Sequence, residues 1–174
     1  MARPLRRRSE PPATPNATRP RVTQKDGGLT QSDNRRLGVE LFNSVWRLME
    51  TREDDERMLH AAHASAYHWS EAPECEPKNR ARSEWQVSRV YTVLGRAEPA
   101  LHHAQRCLEI CEANADKIEE WDLPFAYEAL ARAHRVAGMN QEAAGYKQKA
   151  KELGEQIRDQ EDREHLHEAL ASIS

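Results

Sequence analysis

Apolar positions in this chain recur every three or four residues rather than every second one, which predicts helices. From Ser32 onward, Leu37, Leu41, Val45 and Leu48 share one helical face. A second stretch runs through Met58, Ala61, Ala64 and Ser65, with Thr51 as its expected N-cap and Asp54 three residues on. Pro73 and Pro77 mark the next break, because proline stops one helix and opens another in its first turn. A further pair of helices carries Trp85, Val87, Ser88, Tyr91 and Leu94, then, past Gly95, Leu101, Ala104, Cys107, Leu108 and Cys111. The third pair opens at Asp122 and Pro124, shows Tyr127, Leu130, Ala131 and His134, and stops at Gly138. It restarts at Asn140, the expected N-cap, with Ala143, Ala144 and Ala150 as small contact residues. A last helix from about Asp159 to Ile173 puts Leu166, Leu170 and Ile173 on one side and reads as a polar-backed cap.

Arg52, Gly95 and Gly138 each separate two helices and stand 43 residues apart. At that register Ala61 aligns with Ala104, Ala64 with Cys107 and Ala150, Met58 with Leu101 and Ala144, and Leu48 with Tyr91 and His134. Small residues meet small ones, and apolar residues mostly meet apolar ones. The first unit matches least well: Arg57 aligns with Ala100 and Ala143, and its stop is not a glycine. The expected fold is all-α, with three antiparallel helix hairpins and a C-terminal capping helix stacked into a short α-solenoid over residues 31–174.

Trp85, Tyr91, Leu94, Gly95, Ala100, Leu101, Cys107 and Leu108 resemble a tetratricopeptide repeat, and Leu130, Ala131, Gly138, Ala143 and Ala150 resemble a second. The resemblance implies a superhelix whose concave face holds a protein or peptide, with the first helix of each pair lining it. On that basis the groove residues are Phe42, Trp46 and Met49, then Trp85 and Arg89, then Glu128, Arg132 and Arg135. An aromatic end would grade into an arginine end, suited to an acidic segment or a C-terminal carboxylate. The lysine-and-asparagine clamp of chaperone-tail binders is not matched, since Trp85 and Arg89 occupy its place. Two roles fit these side chains: the aromatics as groove or as packing between units, and the arginines as anchors or as a solvated face with helix ion pairs.

Composition narrows the setting. Aromatics are 6% and charged residues 32%, a balance that favours helices with polar outer faces. Apolar runs fall short of the roughly 20 residues of a membrane-spanning helix, and a cytoplasmic protein is expected. Three cysteines, Cys75, Cys107 and Cys111, make an odd set for a disulfide framework, so reduced thiols are expected. Charge is split unevenly: the first 25 residues hold seven basic side chains against Glu10 alone, although the whole chain carries −3. With Pro4, Pro11, Pro12, Pro15 and Pro20, residues 1–30 read as a disordered basic tail. Weak contact with nucleic acid or an anionic surface is its one suggested chemistry, and its prolines argue against a transit helix.

Two side-chain stripes raise metal or acid–base chemistry. Glu56, His60, His63 and Tyr67 fall on one face of the second helix, a carboxylate and two imidazoles in a narrow arc. That set supports the alternative reading, a small metal-binding protein or enzyme, although its Glu-to-His spacing of four differs from the three used in di-metal helical bundles. The bland reading is the polar side of an amphipathic helix. His103, Cys107 and Cys111 form a second stripe of soft ligands for zinc, but Cys107 stands where other units place alanine. No serine–histidine–aspartate set can be assembled from neighbouring residues and no glycine-rich phosphate loop occurs, so neither enzyme activity nor a cofactor is expected.

Overall fold

The computed structural model describes residues 29–173, which form seven helices and, among these residues, no strand. They are α1 Gln31–Thr51, α2 Asp55–Glu71, α3 Pro77–Val93, α4 Ala97–Ala113, α5 Asp122–Val136, α6 Asn140–Gly154 and α7 Gln160–Ala171. The basic proline-rich stretch lies outside the described residues except for Leu29 and Thr30. Thr30 opens α1 with a reciprocal cap: its hydroxyl accepts from the Asp33 N–H at 3.2 Å, and its own N–H donates to the Asp33 carboxylate at 2.9 Å.

The 43-residue beat is conformational. Arg52, Gly95 and Gly138 have φ of 52°, 69° and 75°, and among the described residues these are the positions with positive φ. At the two glycines the helix closes with paired bonds, Arg96 N–H to Tyr91 C=O and Gly95 N–H to Thr92 C=O, repeated as Met139 to His134 and Gly138 to Arg135. Arg52 takes the same left-handed conformation without glycine's freedom, which costs about 1 kcal/mol. Its side chain offsets this by forking onto Asp55 at 2.8 Å and donating to the Val93 carbonyl at 3.2 Å, a bond that ties the first hairpin to the second.

Two helix starts differ from the sequence reading. Thr51 is the last residue of α1, and Asp54 caps α2 by accepting from the Arg57 N–H at 2.8 Å. An Asp caps at least as well as a Thr, so the shift of three residues follows the stronger capping side chain. Asn140 is the first residue of α6 rather than its cap; its side-chain oxygen is taken by the Arg135 guanidinium.

Each pair, α1–α2, α3–α4 and α5–α6, packs as an antiparallel hairpin, and successive hairpins stack into a short solenoid. The first helices of the pairs approach one another, α1 against α3 and α3 against α5, whereas the backbones of α2, α4 and α6 do not. Close inner helices and splayed outer ones bend the stack toward α1, α3 and α5, which makes that side concave. α7 packs on α5 and α6.

Three apolar clusters hold this arrangement, one at each junction. Val45, Leu48, Met58, Val87 and Val90 join the first hairpin to α3. Small residues, among them Ala100, Ala104, Ala126, Ala129 and Ala133, let α4 and α5 approach closely around Leu130. Leu166, Leu170 and Ile173 bury the inner side of α7 against Phe125, Ala131, Ala150 and Ile157. Buried polar groups are satisfied between helices: Ser65 donates to the Gly38 carbonyl and Ser88 to Ala100 within their hairpins, and Gln86 donates to Phe42 across the first joint, at 2.8–2.9 Å.

Two glycines give a test with opposite signs. Gly138→Ala forces a left-handed alanine and is expected to cost about 1 kcal/mol, whereas Gly145→Ala, inside α6 with open space around it, is expected to gain roughly 0.5–1 kcal/mol. Urea unfolding midpoints measure both, and a shift of the same sign for the two variants would contradict the turn assignment.

Candidate functional site

The sequence places one residue per unit at each step of the 43-residue register, and on the concave side such residues meet across units where Trp85 donates to Glu128. Phe42, Trp85 and Glu128 form one such row and Trp46, Arg89 and Arg132 the next. Trp46 lies edge-on to Phe42 with ring centroids 6.4 Å apart and against Trp85 at 5.5 Å. Trp85 in turn meets Phe125 edge-on at 5.8 Å, and Phe125 meets Trp121 in the same way. These aromatics surround a cavity of about 300 Å³, completed by Ala81, Arg82, Cys107 and Asp122, with Asp162 and His165 of α7 at its wall. That volume sits at the lower end of what small-molecule and side-chain pockets occupy.

Charge around the cavity is organised by one buried pair. Asp122, 3% exposed, accepts both arms of Arg82 at 2.7 and 3.1 Å, and the same guanidinium lies 4.1 Å above the Trp121 ring. Asp122 also caps the turn before α5 by accepting from the Glu119 N–H. The Asp162 carboxylate has no ion-pair partner among the described residues and stands on the α7 edge beside Glu161, Glu164 and Glu168.

The arginine end is occupied by the protein itself. Glu128 is 1% exposed and is held by the Trp85 indole N–H at 3.0 Å, by Arg132 through two nitrogens, and by Arg89 at 3.8 Å. Arg132 also donates to the Ala169 carbonyl and the Ser172 hydroxyl, joining α5 to the end of α7. Glu128 and Arg132 therefore face inward as a structural node. Burial and the nearby Arg132 charge lower the pKa of Arg89, while Glu128 opposes that shift. Met49 packs against the first apolar cluster, and Arg135 binds Asn140 at the end of its helix. Of the eight groove positions read from the sequence, Phe42, Trp46 and Trp85 come together at the cavity.

Sequence reasoning missed Arg82, Trp121, Asp122, Phe125, Asp162 and His165. Phe125 and Arg82 share the 43-residue register, so the beat itself carried a signal for them. Asp162 and His165 lie on α7, outside the repeat, and nothing in the spacing places them opposite α1 and α3.

The polar stripe on α2 does not converge. Glu56 and His60 are exposed and 3.9 Å apart, and Tyr67 is exposed beside His68. His63 turns away from both, its Nε2 2.9 Å from the Tyr91 hydroxyl. Tyr91 stacks on His103, whose Nδ1 is 2.6 Å from Glu84. His103 is thereby drawn from the zinc stripe; Cys107 and Cys111 are buried, and their mutual hydrogen bond together with burial pushes the Cys107 thiol well above its usual range. All three cysteines are free. Among the described residues no group of three or more His, Cys, Asp or Glu side chains is arranged to hold a metal ion, and no helix is long and apolar enough to cross a membrane.

Fold and cavity define a helical-repeat protein with an aromatic pocket on its concave side. Comparison with known proteins finds no family model, no curated protein and no solved structure that matches the chain.

The His63 environment has a pH signature. Burial and the facing His103, with a smaller contribution from His60, lower its pKa below the ordinary 6.5, against the opposing pull of Glu84. The unfolded chain then binds the proton more readily, so this group's contribution to stability is present above about pH 6.5 and declines as pH falls below it. His63→Gln, which keeps a partner for Tyr91, is expected to flatten the fall in urea midpoint between about pH 7.5 and 5.5; an unchanged slope would contradict the assignment.

Proposed function

We propose that the chain is a non-enzymatic binding module, a tetratricopeptide-like scaffold that holds a peptide segment of a partner protein on its concave face. The observation that carries this reading is the aromatic cavity built by α1, α3, α5 and α7 around Trp46, Trp85 and Phe125. Large flat side chains grouped in a concave site bury much area at low entropic cost, which is how short segments are anchored. A cytoplasmic setting accords with the three free thiols.

The sequence suggested an acidic or C-terminal carboxylate partner because three arginines fall on the inner helices. Arg132 is committed to Glu128 and α7, and Arg135 to Asn140, which leaves Arg89 as the arginine most loosely held in the groove. Support for an acidic anchor is correspondingly reduced, and the aromatic pocket becomes the leading anchor point. The alternative metal or enzyme reading around Glu56, His60, His63 and Tyr67 has no converging geometry to support it.

Selection of random displayed peptides on the full chain tests the proposal. Enriched peptides are expected to lose at least about tenfold in affinity on Trp46→Leu, as hot-spot aromatics do. Arg106→Ala, exposed on α4 in the outer layer, is the control and is expected to change nothing. Retention of every peptide by Trp46→Leu would overturn the groove assignment.

A further inference from the structure

The charge and the chemistry of the cavity wall point to one kind of anchor. Three of the chain's four tryptophans, Trp46, Trp85 and Trp121, line it together with Phe42 and Phe125. Aromatic faces carry partial negative charge and attract cations that have shed their water. The fold already uses this wall in that way, because the Arg82 guanidinium rests 4.1 Å from the Trp121 centroid. Arg82 adds no net positive charge to the cavity, since Asp122 accepts it through two bonds. What remains at the wall is Asp162, a partly buried carboxylate without an ion-pair partner among the described residues, together with the His165 ring, which packs on Phe125; Glu161, Glu164 and Glu168 follow on α7 outside the cavity. An aromatic enclosure with one uncompensated carboxylate is complementary to a cation and repels an anion.

We propose that this cavity receives an alkylammonium head group carried by the partner segment, enclosed by Trp46, Trp85 and Phe125 and paired with Asp162. The inference rests on the concave-face reading above and names the anchor chemistry of that same site. A neutral apolar head would gain the same contact area and would lose both the attraction of the rings and the Asp162 pairing. An acidic head would face the Asp162 carboxylate.

The test uses choline and its neutral carbon analogue 3,3-dimethylbutan-1-ol, titrated separately into the full chain and followed by tryptophan fluorescence. Choline is expected to bind at least about tenfold tighter than the alcohol, the preference expected of a desolvated cation on aromatic faces. Asp162→Asn, a change at a side chain without a bond to any of the described residues, is expected to weaken choline about fivefold and leave the alcohol unchanged; far-UV circular dichroism verifies its fold. Equal binding of the two probes, or binding of neither, overturns the cation assignment. Loss of choline binding on Asp162→Asn matched by equal loss of the alcohol overturns the role of the carboxylate. The groove reading fails separately, when displayed peptides show no dependence on Trp46. Trp46-dependent peptides combined with no preference for choline would therefore sink this inference alone.

Discussion

A carboxylate taken out of water must be paired, and Glu128 is the place where this chain meets that demand. With 1% exposure it is held by an indole N–H and two guanidinium groups, drawn from α3 and from its own helix. Removing one partner of such a buried pair typically costs about 3–5 kcal/mol, because the remaining charge is left without compensation. The requirement does more than stabilise. To satisfy Glu128, Trp85 must turn its indole toward α5, and that orientation sets the ring that Trp46 and Phe125 pack against. Arg132, held by the same carboxylate, reaches the Ala169 carbonyl and the Ser172 hydroxyl at the end of α7 and positions the helix that closes the cavity.

The repeat explains why these groups meet. Residues 43 apart occupy equivalent places in successive hairpins, and the inner helices are close enough for such residues to touch. Trp85 and Glu128 are separated by one period, as are Arg52 and Gly95, whose turns have the same handedness. The repeat therefore supplies both the concave face and the contacts that tie one unit to the next. Its end is different. α7 has no equivalent in the earlier units and covers the last hairpin through Leu166, Leu170 and Ile173, which leaves Asp162 and His165 at the wall of the aromatic cavity.

Much of the fold was legible because helical periodicity and the 43-residue spacing are local signals. Gly95 and Gly138 announced turns that require positive φ, and Ala104, Cys107 and Ala150 announced close helix packing; all three are buried. Arg52 was the weakest reading of the beat, yet it adopts the glycine-like turn with side-chain support that no spacing reveals. The cavity was half legible. Phe42, Trp46 and Trp85 follow from the inner face of a repeat, but Glu128 and Arg132 share that face and are consumed by each other. Sequence alone does not distinguish a charged side chain that faces a ligand from one that faces another helix. His63 illustrates the same point: its partners, Tyr91 and His103, come from α3 and α4 rather than from its own stripe.

Arg132 couples the Glu128 node to α7. Amide hydrogen exchange of the full chain carrying Arg132→Lys tests it most directly, because lysine preserves the charge beside Glu128 and removes the planar fork that reaches Ala169 and Ser172. Loss of one or two such hydrogen bonds is expected to speed exchange in residues 160–173 by about five- to tenfold, with the α1–α2 hairpin unchanged. Unaltered exchange in α7, or an equal increase through every hairpin, would contradict that coupling.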